Sequence, residues 1–165
     1  MRKIFLGLSY CLLYTLNAQA YDPDQLEQFN KTGICPGCDL SRTHIDFYNS
    51  NHVNLENAIL TEATLDYSKF PNGSFNGAHL LSASLIGGNF SGSSFRQSNL
   101  TDANLYNSNF SRSDFTGANL NEANFSHTVL IAAKITQEQL ATIKSLSCAI
   151  MPDGTRHAPD KDNHC

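Results

Sequence analysis

Apolar residues recur at every fifth position through most of this chain, from residue 38 to residue 137. The residue two places before each of them is usually small, and the other three positions of each block are mostly polar. The apolar series comprises Leu40, Ile45, Leu55, Leu60, Leu65, Phe70, Phe75, Leu80, Leu85, Phe90, Phe95, Leu100, Leu105, Phe110, Phe115, Leu120, Phe125, Leu130 and Ile135, with Ser50 as its polar exception. A period of five fits neither a helix nor a flat strand, so the pattern predicts a repeat architecture.

A second period lies on top of the first. From Leu60 to Phe115 the series runs Leu, Leu, Phe, Phe three times, so equivalent residues recur every 20 positions. This predicts a four-sided coil in which residue n lies next to residue n+20, with two internal ladders of Leu and two of Phe. Ala usually precedes Leu, whereas Ser or Gly precedes Phe, which keeps the interior evenly filled.

The blocks resemble those of the pentapeptide repeat family. Ala103-Asn104-Leu105, Ala118-Asn119-Leu120 and Ala123-Asn124-Phe125 match the family's A-(N/D)-(L/F) core, and the similarity covers about 100 of the 165 residues. The resemblance implies a right-handed quadrilateral β-helix, an all-β solenoid, with the central and small residues directed inward. We therefore expect a rod of about five coils over residues 38–137, with a length of ~24 Å at ~4.8 Å per coil.

The chain begins with the pattern of an export signal. Met1-Arg2-Lys3 is followed by an apolar run to Leu16 and then by Ala18-Gln19-Ala20, which is the layout of a signal peptide over residues 1–20. The run is shorter than the ~20 residues of a membrane-spanning helix, so a membrane anchor is disfavoured. Lipidation at Cys11 is also disfavoured, because bulky Tyr10 precedes it and the apolar run continues beyond it.

The charge balance argues against a nucleic acid partner. Without Arg2 and Lys3, the 11 basic residues fall to 9 against 15 acidic ones, a net charge of −6. Residues 38–137 contain 8 acidic and 5 basic side chains. A nucleic acid interface would need a clustered basic face.

Residues 21–37 predict a short amphipathic helix that covers the first coil. Asp22 is suited to the N-cap, Pro23 to the first helical position and Gly33 to a left-handed stop. The small-residue positions of the first coil are unusual, since they hold Cys38, Thr43, Tyr48 and Val53. Tyr48 beside Ser50 reverses the usual sizes, so we expect irregular geometry in this coil.

The sequence Cys35-Pro36-Gly37-Cys38 has the C-x-x-C spacing of thiol redox sites, in which a helix N-terminus lowers the pKa of a thiol. Cys38 instead begins the first repeat block, which favours a structural role as a disulfide or as buried thiols. A zinc site would need two further ligands nearby, but the other cysteines outside the leader lie beyond the coil.

The four cysteines beyond the leader allow three pairings. The ends of a rod lie much farther apart than the ~7 Å between Cα atoms that a disulfide permits. The sequence therefore predicts Cys148 with Cys165 and, if oxidised, Cys35 with Cys38, and an oxidising compartment favours both.

The repeat ends at a helix signal. Thr136 and Gln139 fit a capping box, and Ile135 with Leu140 fits a hydrophobic staple. Leu140, Ile143, Leu146 and Ile150 follow at helical spacing, so we expect a capping helix over residues 138–150 that covers the last coil. A turn at 152–154 and a polar tail over residues 151–165 complete the chain.

No constellation of catalytic, cofactor-binding or metal-binding residues emerges from the sequence. The histidines of the coil occupy outward positions on different sides or coils and do not converge; they are His44, His52, His79 and His127. The largest apolar departure on the outer surface is a candidate binding ridge, in which the 20-residue period places Phe47 beside Tyr67 and Ile86 beside Tyr106. The ridge consists of Phe47, Tyr67, Leu81, Ile86 and Tyr106.

Three function classes follow. The sequence favours an exported, periplasmic or secreted, non-enzymatic rod that serves as a scaffold or protein-protein interaction module, with an unidentified protein partner and no cofactor. The family resemblance offers a DNA-mimic, gyrase-binding alternative, which export and a coil net charge of −3 disfavour. The third class is a thiol-redox protein that uses Cys35 and Cys38. The mature chain has no membrane span, and a homodimer through a capped end is compatible with this fold.

Overall fold

The computed structural model describes residues 21–159 and residue 165. The signal peptide expected over residues 1–20 lies outside these described residues. Within them, no helix combines the length and the apolar composition needed to cross a lipid bilayer.

The fold is a ladder of parallel β-bridges that join residue n to residue n+20. Ile59 pairs with His79, His79 with Asn99 and Asn99 with Asn119. Four such series lie five residues apart, so each 20-residue coil has four sides. We name the sides A, B, C and D by the coil in which they carry Leu60, Leu65, Phe70 and Phe75 respectively. The described residues contain isolated bridges rather than extended strands.

The strands are short because a turn occupies most of each block. The amide of Ala63 donates to the carbonyl of Leu60 at 3.1 Å, and Glu62 between them has a φ of 57°. This is the geometry of a type II turn, whose third residue is left-handed. The turn leaves a single residue for bridging, which explains why the expected β-solenoid contains little continuous strand.

The interior consists of the expected Leu and Phe ladders. The central residues from Leu55 to Leu130 are almost completely buried, and each burial contributes ~1.5–3 kcal/mol before chain entropy is included. Phe75 stacks on Phe95 with ring centroids 4.7 Å apart, and Phe90 stacks on Phe110 at 5.1 Å. Within the described residues, every buried side-chain nitrogen and oxygen has a hydrogen-bond partner.

The expected helix at the start of the chain forms as α1 (Pro23–Thr32). Asp22 Oδ1 accepts the amide of Asp24 at 2.9 Å, and Gly33 ends the helix with a φ of 69°. Phe29 is fully buried, and its ring lies 4.9 Å from that of Tyr48. Tyr48 also donates its hydroxyl to the carbonyl of Phe29 at 3.2 Å. Tyr48 is thus a large residue at a block position that is usually small, and it packs against the helix.

The first coil is irregular at the place where the sizes are reversed. Arg42, Phe47 and Asn57 have the left-handed conformation that each block uses to turn, but His52 does not. Its amide donates instead to Ser50 Oγ at 3.3 Å. The polar exception in the apolar series therefore replaces the regular turn with a local side-chain hydrogen bond.

The helix expected over residues 138–150 is wrong beyond its first turn. The capping box forms, because Thr136 Oγ1 accepts the amide of Gln139 at 3.2 Å and Gln139 Oε1 accepts that of Thr136 at 3.0 Å. However, α2 covers only Gln137–Leu140. The Gln139 side chain then donates to the carbonyls of Phe115 and Ala118, which ties the turn to the preceding coil.

Beyond α2 the chain resumes the ladder, with one extra residue in this last turn. Asn124 pairs with Ser145 and Val129 with Ile150, a spacing of 21 instead of 20. The amide of Phe125 donates to the carbonyl of Ser145 at 2.8 Å. A helix would have left the backbone groups of residues 122–130 unpaired, and extended chain satisfies them. This gain outweighs the helical spacing of the apolar residues.

The first part of the expected polar tail pairs with the chain before it. Ile150 pairs with Arg156 in an antiparallel bridge, and the amide of Gly154 donates to the carbonyl of Met151 at 2.9 Å. The turn expected at 152–154 therefore joins two arms of a hairpin that covers side C of the last coil.

Candidate interaction surface

The predicted ridge begins with two stacked aromatic rings on side B. The ring centroids of Phe47 and Tyr67 lie 5.3 Å apart with an interplanar angle of 11°. These side chains remain 75% and 51% exposed respectively. The ladder places them at the same outward position of adjacent coils, so the solvent-exposed stack follows directly from the 20-residue period.

The lower part of the ridge shifts to the neighbouring outward position. Tyr106 and Leu81 are both exposed, whereas Ile86 is partly covered. The Tyr106 ring meets the ring of His127 at 5.2 Å in an edge-on arrangement. The ridge therefore extends along side B from Phe47 to His127.

Gly87 and His127 are members of this surface that the sequence pattern alone did not single out. A Cβ atom at Gly87 would lie 2.6 Å from the Tyr67 ring, so the absence of a side chain allows the ring to rest on the next coil. The 20-residue register could have revealed Gly87, because it is the residue directly beside Tyr67. The contact of His127 with Tyr106 crosses between two outward positions and has no such signal.

Phe47 and Tyr67 occupy a costly backbone conformation. Their φ angles are 60° and 58°, in the left-handed region that bulky residues rarely adopt. At the corresponding position, other blocks mostly use glycine or polar residues. Ring stacking offsets part of this cost, and the conformation itself is the one that nearly every block uses to turn.

Two carboxylates form the base of the ridge. Asp46 accepts the Thr64 hydroxyl at 2.9 Å and the Asp66 amide at 2.8 Å. Asp66 accepts the Ser84 hydroxyl at 2.6 Å and the Ile86 amide at 2.9 Å. These carboxylates join successive coils, so their observed role is to hold the backbone under the aromatic side chains.

A separate charged cluster lies on side D around Asp114. Arg96 and Lys134 approach its carboxylate at 3.2 and 3.3 Å, and the Thr116 hydroxyl and amide also donate to it. Burial alone would raise the pKa of Asp114. The hydrogen bonds from Thr116, Lys134 and Arg96 outweigh burial and hold that pKa well below its ordinary value of 3.8. The cluster links three coils.

The histidines of the coil are not brought together. His44 Nδ1 lies 3.0 Å from Thr64 Oγ1 on side B, and His127 lies against Tyr106 four coils away. Across residues 21–159 and 165, no group of three or more His, Cys, Asp or Glu side chains is arranged to hold a metal ion.

The cysteines lie in two local pairs at opposite ends of the ladder. Cys35 and Cys38 are joined with a Cα separation of 5.5 Å, and both are buried. Cys148 is joined to Cys165 with a Cα separation of 5.3 Å. Helix α1 precedes Cys35 rather than following it, so the C-x-x-C segment lacks the helix N-terminus that activates a redox thiol.

A family model and several solved structures match this chain. The family model for pentapeptide repeats (8 copies) matches residues 38–77, 58–97 and 98–137. Among solved structures, the chain is similar to HetL, a pentapeptide repeat protein involved in heterocyst differentiation regulation from the cyanobacterium Nostoc sp. strain PCC 7120. That match has 21% identity, covers 72% of this chain and 78% of HetL, and has a TM-score of 0.38.

Two further solved structures show the same kind of similarity. A pentapeptide repeat protein from the Arabidopsis thaliana thylakoid lumen has 20% identity over 66% of this chain and 73% of its own, with a TM-score of 0.35. Full-length QnrB1, a plasmid-mediated fluoroquinolone resistance protein, has 15% identity over 68% of this chain and 67% of its own, with a TM-score of 0.32. No curated protein matches the chain by sequence.

The family matches span the same residues, 38–137, in which the five-residue period and the ladder of bridges were observed. They cover more than half of the 165 residues. This chain belongs to the pentapeptide repeat family.

Proposed function

We propose that this protein is an exported, non-enzymatic rod that binds another protein through the ridge on side B. The observation that carries this proposal is the exposed Phe47 and Tyr67 stack. Contiguous exposed apolar area often marks an interaction site, and Tyr is enriched where binding energy concentrates. The same rod serves as the scaffold that displays these side chains.

Two further features complete the proposal. The solenoid is a right-handed quadrilateral β-helix of about five coils, with α1 over its first coil and the α2 segment near its last. The chain is exported after cleavage of residues 1–20 into the periplasm or the medium. The pairing of Cys35 with Cys38 and of Cys148 with Cys165 supports an oxidising compartment.

The test is to change Tyr67 and Tyr106 together to Ser. We expect the protein to remain folded, with a loss of about 1 kcal/mol in the free energy of unfolding because stacked aromatic pairs contribute that amount. Capture of its partner, measured by cross-linking in the native compartment, should be lost. A Thr61→Ser and Thr101→Ser variant alters side A in the same coils and should capture the partner normally.

The alternative explanation is that the aromatic ladder only stabilises adjacent coils, as cross-strand pairs do. In that case the Tyr67 and Tyr106 variant would lose stability while partner capture stayed unchanged. That result would contradict the proposed function.

A further inference from the structure

The ladder has an open edge at its first coil on side B. Each bridged residue from Ile59 to Asp114 pairs with a neighbour on both sides, but His44 pairs only with Thr64, and Asn49 on side C only with Lys69. Among the described residues, the amide and the carbonyl of His44 and the carbonyl of Asp46 have no backbone partner. We call residues 44–47 the open edge.

Sides A and D of the first coil are covered by the N-terminal segment. The Asp22 amide donates to the Asp39 carbonyl at 3.2 Å, and Gln25 Oε1 accepts the Asp39 amide at 2.6 Å. The Gln28 side chain donates to the carbonyl of Ile34 at 3.0 Å. The residues around α1 thus cover side A, and Ile34 after the helix pairs with Asn54 on side D. Neither makes a backbone hydrogen bond to residues 44–47.

We propose that the open edge binds an extended segment of a different protein, which adds as the missing parallel side of a coil. Adding a strand to an exposed sheet edge is a recurring mode of peptide recognition. This inference names a partner class for the proposed interaction role and rests on it. The unpaired backbone groups of the first coil would make the hydrogen bonds to this segment. The ridge begins at the same place, because Phe47 belongs to both the ridge and the open edge.

The existing ladder specifies the register of the incoming segment. Within the rod, Ile45 N donates to Thr64 O at 2.7 Å, Phe47 N to Asp66 O at 2.8 Å, and Thr64 N to Thr43 O at 2.9 Å. In a bound five-residue block, the third amide would therefore donate to His44 O and the fifth to Asp46 O. The carbonyl of its first residue would accept the amide of His44.

The side chains define which segment fits. Its fifth residue would stack on the exposed Phe47 ring as Phe47 stacks on Tyr67, which favours an aromatic or aliphatic side chain. Its third residue would point toward an interior already filled by Phe29 and Ile45, so it must be small. Five acidic and two basic residues lie in 21–46, which favours basic flanks.

These requirements disfavour a second copy of this chain as the occupant. Its own blocks carry a bulky Leu, Phe or Ile at the third position, apart from the block of Ser50. A bulky third residue is disfavoured because the buried Phe29 ring already belongs to the core at this end of the ladder. The chain is also acidic overall, whereas the edge favours a basic segment.

The test uses a synthetic peptide built to this register, Lys-Lys-Ala-Thr-Ala-Asn-Tyr-Lys-Lys, titrated into the full-length protein. Binding is followed by the amide NMR signals of His44 and Phe47. One control peptide carries N-methyl groups on its third and fifth block amides, and a second carries them on the second and fourth. We expect the first to bind roughly tenfold or more weakly, because it loses two hydrogen bonds. The second should retain affinity.

A matched pair of protein variants tests the side-chain contact. Phe47→Gly removes the stacking ring and suits the left-handed backbone, so the fold is kept and affinity for the peptide should fall roughly tenfold. Asn107→Gly changes the same outward position three coils away and should bind the peptide normally.

Three results would overturn the inference. Equal affinity for the two methylated peptides would mean that the backbone edge is not used, and signal changes away from residues 44–47 would place the site elsewhere. Ultracentrifugation showing a dimer that Phe47→Gly dissociates would assign the edge to a second copy. The proposed function is tested separately, because it fails if the Tyr67 and Tyr106 variant still captures the partner.

Discussion

At the scale of single residues, the small inward position does more than leave room for its neighbour. Ser93 is fully buried, and its hydroxyl donates to the carbonyl of Phe70 in the preceding coil at 2.7 Å. It also accepts the Gly73 amide at 3.1 Å. Ser108 makes the corresponding bond to the carbonyl of Leu85. The choice of Ser over Ala at these positions therefore adds hydrogen bonds between coils.

The Phe ladder should be sensitive to truncation. Phe90 is fully buried and meets Phe70, Phe75, Phe95 and Phe110 with ring centroids 5.1–6.0 Å apart. We expect Phe90→Ala to lower the free energy of unfolding by about 3–5 kcal/mol, because neighbours held in register cannot collapse into the cavity. Denaturant unfolding measures this, with outward Asn89→Ala as the control. Similar midpoints for the two variants would contradict the inward assignment.

Gly87 should be needed both for its backbone and for the ring beside it. Replacing it with Ala adds a left-handed penalty of about 1 kcal/mol and also displaces Tyr67, whose ring lies 2.6 Å from the new Cβ. Gly37→Ala is the matched control, since Gly37 has a φ of 70° and open space around it.

We expect Gly87→Ala to destabilise the protein more than Gly37→Ala in denaturant unfolding, and only Gly87→Ala to shift the NMR signals of the Tyr67 ring. Equal destabilisation with an unmoved ring would mean that the Tyr67 and Gly87 contact contributes nothing.

At the scale of elements, α1 depends on its cap. Asp22 Oδ1 accepts the amides of Asp24 and Gln25. We expect Asp22→Ala to destabilise the protein by about 1 kcal/mol, while exposed Asp24→Ala should have a smaller effect. Hydrogen exchange in residues 23–32 would show whether the loss is local. Unchanged exchange there would contradict the capping role.

The Asp114 cluster should make stability depend on acid pH. The folded pKa lies below its ordinary value of 3.8, so the carboxylate adds stability that is present above that value and lost as pH falls through the folded pKa. Unfolding measured between about pH 5 and pH 2 should show a steeper loss for the native chain than for Asp114→Asn. Parallel profiles would show that Asp114 is not linked to folding.

The contrast between the two ends shows what local sequence can predict. Helix α1 was predictable because its cap, first-turn Pro and stop are adjacent in sequence and act alone. The conformation of the segment after Leu140 was not predictable in this way. It depends on the otherwise unpaired backbone of residues 122–130, which lies about 20 positions away in sequence. Helical spacing is a weak preference, and a free sheet edge overrides it.

At the scale of the whole molecule, the ridge was largely predictable and the open edge was not. The 20-residue register alone places Phe47 beside Tyr67, so the exposed stack can be predicted by counting residues along the sequence. The open edge depends on the path of α1 over the first coil, which is set by contacts such as Tyr48 with Phe29. Sequence periodicity carries no information about that path.

The 20-residue register also sets how such a chain can change its length. A second copy of residues 78–97 inserted after Gln97 would keep Leu beside Leu and Phe beside Phe, adding one coil of ~4.8 Å. A second copy of residues 78–82 would rotate every later block by one side and place Leu against Phe. We expect X-ray scattering to show a longer, folded rod for the first insertion. For the second insertion, we expect denaturant unfolding to show a loss of cooperativity. Gene duplication can therefore extend this protein only in whole-coil increments.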